Sequence, residues 1–256
     1  MMGFAQRSIA LALGLVGFAS LLGMSLFPKG WVMVGIIAAW ILFLSIGWRI
    51  LYVWQRISWD VLFVMWAAVF ASTGLFFVVD WQLIRWVIMI GTGFLSMLLF
   101  GWSISSSGYT THIEKSYRRF LMMLSVFNVY ALLTTLFALH IFFQEIGFWI
   151  FGISASVIVG IITFLVWRLY YPITIKRHWF WILLIMLIAF ELCWASQVLP
   201  LGYTVLSLFV TWVWYLIQLF FRFHFSEAGV NWSKQRNFLI INVVLFFVVL
   251  FVVRWI

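Results

Sequence analysis

Hydroxyls and lysines aside, few groups in this chain could move a proton, bind a cation or attack a carbonyl: six carboxylates, four histidines and one cysteine. Glu191 stands out among them by position. An unbroken apolar run from Trp179 to Phe190 precedes it and Leu192 follows, which puts it roughly 18 Å into a helix at 1.5 Å per residue. A carboxylate at that depth costs ~2–3 kcal/mol on insertion scales, and less toward an interface. The sequence therefore predicts that Glu191 faces protein or a wet cavity, as a proton or cation site or as hydrogen-bonding glue between helices. Its expected companions are Gln197, round the side of the same helix, and Asn128 and His140 on an earlier apolar span. These four make the candidate intramembrane polar site. Tyr130, Thr204, Ser207, Thr211, Gln218 and Asn242 are further polar groups within apolar spans.

The remaining inventory excludes more than it offers. Lys29, Lys115, Lys176 and Lys234 all lie between apolar runs, so a retinal Schiff base inside a helix is excluded. Asp60, Asp80, Glu114, Glu145 and Glu227 read as solitary groups at loops or span ends, without the partner that metal binding or acid–base work requires. Histidine–glutamate zinc motifs, a nucleophile elbow and a glycine-rich phosphate loop are absent. His112, His178 and His224 fall on one side and His140 near the other, which does not suit a haem held by two histidines at one depth. Cys193, inside an apolar run, reads as a small buried hydrophobe and rules out an internal disulfide. No metal and no cofactor are expected, and catalysis is the less favoured role.

The elements that position these residues follow from composition. Of 256 residues, 67% are hydrophobic and 8% charged, against ~25% charged in a soluble domain. A stretch of about 20 apolar residues crosses the hydrocarbon, and nine such spans occur. They run Ser8 to Phe27, Gly30 to Trp48, Val61 to Val79, Leu83 to Trp102, Phe120 to Phe143, Phe148 to Trp167, Trp179 to Leu199, Leu201 to Phe221 and Asn237 to Arg254. The longest remaining stretch, Ser103 to Arg119, leaves no room for a soluble domain. Each span must satisfy its own backbone in lipid, and strand alternation is absent, so the expected fold is an all-α polytopic transmembrane bundle of about nine helices in one integral membrane domain, 1–256. Arg7 before a hydrophobic stretch resembles a signal peptide, but the stretch is too long and lacks a cleavage site, which predicts a retained helix.

The net charge of +9 does not imply nucleic acid as a partner, because the cations sit in short breaks where they orient helices. Sorted to alternate sides, 12 fall on the amino-terminal side, and only Lys29, Arg85 and Arg254 on the other. This predicts a multi-pass protein of the inner (plasma) membrane, amino terminus cytoplasmic and carboxyl terminus outside. The weakest break lies between the seventh and eighth spans, where only Pro200 and Gly202 interrupt the run. Trp31, Trp48, Trp59, Trp81, Trp102, Trp149, Trp167, Trp179 and Trp255 fall near the expected interfaces.

A repeat is suggested at a shift of about 117 to 119 residues. Gly30-Trp31 with Gly35-Ile36 recurs as Gly147-Phe148 with Gly152-Ile153, and Trp48-Arg49-Ile50-Leu51-Tyr52 as Trp167-Arg168-Leu169-Tyr170-Tyr171. The candidate repeats are 8–102 and 120–221, two parallel four-helix units related by an axis along the membrane normal, with a final helix at 237–255. Small residues share one face at Gly152, Ser156 and Gly160, and at Ala10 and Gly14, which predicts close helix contacts within the bundle or with a second copy.

Glu191-Leu192-Cys193-Trp194, Leu199-Pro200-Leu201, Trp214-Tyr215 and the closing Arg254-Trp255 together resemble a group of uncharacterised multi-pass membrane proteins of candidate-phylum bacteria. The likeness covers the last third of the chain and implies no activity. The sequence leaves two roles open: a small transporter or permease-like protein with a site around Glu191, and a non-catalytic membrane subunit or scaffold that binds another protein or its own kind. A lipid-modifying enzyme ranks below both, because no pair of catalytic groups can be named.

Overall fold

Long apolar segments with no alternating pattern have one way to satisfy their backbone without water, and the computed structural model shows it. It describes residues 2–55, 59–106, 111–145, 147–171, 174–224 and 232–252, which form nine α-helices and no strand. They are α1 (Met2–Leu26), α2 (Gly30–Gln55), α3 (Trp59–Val78), α4 (Gln82–Ser106), α5 (Thr111–Phe142), α6 (Phe148–Tyr170), α7 (Ile175–Ser196), α8 (Tyr203–His224) and α9 (Trp232–Val252). The first eight each contain a segment long and apolar enough to cross a membrane. The protein is an all-α, multi-pass membrane protein. Arg56, Glu227, Arg254 and Trp255, which entered the sequence argument, lie outside the described residues.

Helix ends follow local chemistry. Pro200, which has no N–H to donate, follows α7, whose last turn unwinds through Gln197; Leu201 N–H then bonds Leu199 O at 2.8 Å and α8 begins at Tyr203. The stretch from Ser103 to Arg119 differs from the expected connection. Residues 103–106 continue α4 and 111–119 begin α5, which therefore starts nine residues before its expected apolar limit at Phe120. Polar side chains do not end a helix when the backbone ladder can continue beyond the hydrocarbon.

The described chain divides into two compact units, Met1–Thr135 with Arg168–Tyr170, and Leu136–Trp167 with Tyr171–Ile256. The division falls inside α5 and not in the connection before it. In the first unit α1 packs on α4 and α2. The small face of α1 carries the closest approach: a Cβ on Gly14 would lie 2.8 Å from the Gly93 carbonyl oxygen, and one on Gly93 would lie 3.0 Å from the Gly14 oxygen. Only hydrogen at these two positions lets the backbones meet. Gly74 of α3 is likewise filled by the Thr135 side chain of α5.

In the second unit the small face of α6 accepts α7. Phe190 sits over Gly152 and Met186 over Gly160, while Ser156 between them turns its hydroxyl back to Gly152 O at 2.7 Å. Both small faces thus serve contacts inside their own units.

Candidate functional site

His140 lies in the last turn of α5, and its ring stacks on Phe151 of α6 with centroids 4.9 Å apart and planes 11° from parallel. Gln197 caps the carboxyl end of α7 in αR geometry, its N–H directed at the Ala195 and Trp194 carbonyls. Two separate helix ends therefore deliver these side chains to one place, an open recess of about 410 Å³ in the second unit. Gln144 adds a third polar group, and Phe137, Ile141, Leu199, Leu201 and Leu206 supply the apolar wall. Of the four residues the sequence singled out, the structure brings these two together.

Glu191 and Asn128 stand elsewhere. Glu191 is exposed on α7, flanked by Leu187 and Trp194, themselves 54% and 62% exposed. The expectation that it points into the bundle is corrected by this geometry. It sits five residues before the end of the helix at Ser196, about 7 Å along the axis, where a carboxylate costs less than at mid-bilayer. Asn128 is buried on α5, donating from Nδ2 to Val64 O of α3 at 3.1 Å within the first unit. It ties two helices together.

Two polar clusters were not found by sequence reasoning. Asp60, expected to be solitary, is 8% exposed and accepts an ion pair from Arg168, whose Nε lies 3.2 Å from Oδ1. Asp60 opens one span and Arg168 closes another on the side that the charge sorting makes cytoplasmic, and that shared depth is the signal that could have paired them. Beside them the Trp48 and Trp59 rings meet at 4.3 Å, and the Tyr170 hydroxyl reaches Arg118 O at 3.4 Å. Trp48 and Trp167, expected at the headgroups, are 4% and 2% exposed. The reason for Trp167 lies in the second unit, where its Nε1 donates to Gln218 Oε1 at 2.7 Å. Gln218 Nε2 donates in turn to Thr163 Oγ1 at 3.0 Å, and Trp214 Nε1 donates to the same oxygen at 2.8 Å. Each side-chain nitrogen in this buried network donates to an oxygen of it, which marks it as structural.

Among the described residues no group of three His, Cys, Asp or Glu side chains could hold a metal ion. Around the recess, one imidazole and two amides can each donate and accept hydrogen bonds, and no carboxylate, lysine or arginine lines it. Such a lining suits a small neutral or zwitterionic polar solute. No protein-family model, no curated protein and no solved structure matches the chain.

Proposed function

We propose that this protein is a permease-like membrane protein that takes up a small polar solute at the recess around His140 and Gln197. The convergence of these two residues from different helices carries the proposal. A volume of about 410 Å³ lies within the roughly 300–1,000 Å³ of small-molecule sites, and an apolar wall with a few hydrogen-bonding groups is their usual chemistry. The charge distribution supports a cytoplasmic amino terminus, which puts the recess on the outer side. In a Cys193→Ala background, His140→Cys and Gln197→Cys should both react with a membrane-impermeant maleimide added to intact cells. At least one member of a panel of amino acids, sugars and polyols should slow both reactions together and should enter proteoliposomes holding the parent protein. Labelling from the inside only, or no solute acting on either position, would sink the proposal.

Glu191 favours a second role, that of a membrane subunit. An acid on an exposed apolar helix face is relieved when another transmembrane helix brings it a donor. Glu191→Leu should then abolish recovery of a partner that the parent retains in mild detergent. Equal recovery by both proteins would remove this alternative.

A further inference from the structure

Trp40 lies midway along the membrane-spanning part of α2, is 1% exposed, and its indole Nε1 has no hydrogen-bond partner among the described residues. A buried donor left unpaired costs about 1–3 kcal/mol, and the penalty is no smaller where lipid surrounds the bundle. Trp40 also lines a cavity of about 10 Å³ between α2, α3 and α4 within the first unit. Ser72, Thr92 and Ser96 line it, from α3 and α4, and are 1%, 6% and 7% exposed. Gly17 of α1 stands against two of these side chains: a Cβ there would lie 3.3 Å from Ser96 Oγ and 3.6 Å from Trp40 Cε2, the carbon bonded to Nε1.

We propose that this cavity is a binding site for one water molecule, held at mid-membrane depth by Trp40 and the three hydroxyls. The size admits a single heavy atom, since a water needs roughly 10–15 Å³ of such space and two to four polar partners. Chemistry selects among guests of that size. The indole N–H can only donate, so the guest must accept, which excludes a metal cation or ammonium against that face. An anion would stand without a countercharge, because no charged side chain lines the cavity. Water accepts from Trp40 and can donate to a hydroxyl or accept from one. This site is independent of the recess and of the transport proposal.

Full-length protein labelled with ¹⁵N at tryptophan, in nanodiscs, gives the test. The Trp40 indole cross-peak, identified by its loss in Trp40→Phe, should show a dipolar cross-peak to water of the sign given by a long-lived bound molecule. Ser96→Val, which fills the space, should abolish that signal while the other indole cross-peaks keep their positions. Ser96→Ala removes a hydroxyl but leaves the room, and the water signal should survive. Absence of the signal in the parent, when exposed Trp31 shows exchange with water, overturns the proposal. So does its persistence in Ser96→Val. Its loss in Ser96→Ala would assign the signal to hydroxyl exchange and overturn it equally. Should Ser96→Val not fold, the parent and Ser96→Ala spectra decide alone.

Discussion

Arg168 Nε lies 3.2 Å from Asp60 Oδ1, joining the amino-terminal turn of α3 to the carboxyl-terminal turn of α6 across more than a hundred residues of sequence. The two partners are unequally placed, with side chains 44% and 8% exposed. Loss of the arginine strands a buried carboxylate, whereas loss of the acid frees a guanidinium that already reaches water. Arg168→Gln should therefore destabilise more than Asp60→Asn, by about 1–3 kcal/mol against about 1 kcal/mol, with the half-exposed arginine keeping both below the cost of a fully buried pair. Thermal unfolding in detergent measures the order. The double variant should regain part of the loss, and strict additivity would show that the two residues do not act as a pair.

Thr163 is the acceptor at which two donors meet. Thr163→Val keeps the shape and deletes that oxygen, leaving Trp214 Nε1 and one Gln218 proton unpaired at about 1–3 kcal/mol each. The expected result is a lowered melting temperature with a shifted Trp214 fluorescence or indole resonance. Unchanged stability would mean that the network is satisfied another way.

At Gly14 a methyl group would meet backbone, not a flexible side chain, so α1 and α4 must separate to admit it. Gly14→Ala should cost about 1–3 kcal/mol through overpacking. Gly35→Ala, where nothing lies within 4 Å, should be neutral or stabilising by up to ~1 kcal/mol through helix propensity. Equal effects of the two substitutions would contradict the close approach of α1 and α4.

Topology is open to direct measurement. With 12 of 15 cations on one side, reporter fusions after Arg177 and after Arg236 should report cytoplasm, and a fusion at the carboxyl terminus the exterior. A cytoplasmic carboxyl terminus would mean that one span fewer or more crosses the bilayer.

Helix existence was legible wherever about 20 apolar residues ran together, because the bilayer allows little else. The break at Pro200 was legible for the same reason that proline ends any helix. Facing was not. Glu191 sits on a helix that is apolar all round, so no stripe tells which side meets protein, and depth alone suggested an inward direction. Trp167 shows the converse: its position at a span end pointed to the headgroups, and only its bond to Gln218 explains its burial.

The duplication stays a proposal, supported by one correspondence. At a common shift of 119 residues, Thr163, Trp214 and Gln218 fall on Leu44, Leu95 and Leu99, which line one cavity together with Trp40. Superposition of α2 and α4 on α6 and α8 should follow that register. Superposition in a different register, or none, would leave the match to composition.

The meeting of Gly14 with Gly93 also sets a schedule for biogenesis. The ribosome makes α4 about 80 residues after α1, a wait of roughly 4–16 s at about 5–20 residues per second. Through that interval the glycine face of α1 borders lipid or the insertion machinery without its final neighbour. The contact between α1 and α4 therefore forms only after α2 and α3 have been made, although α1 can pack on α2 earlier.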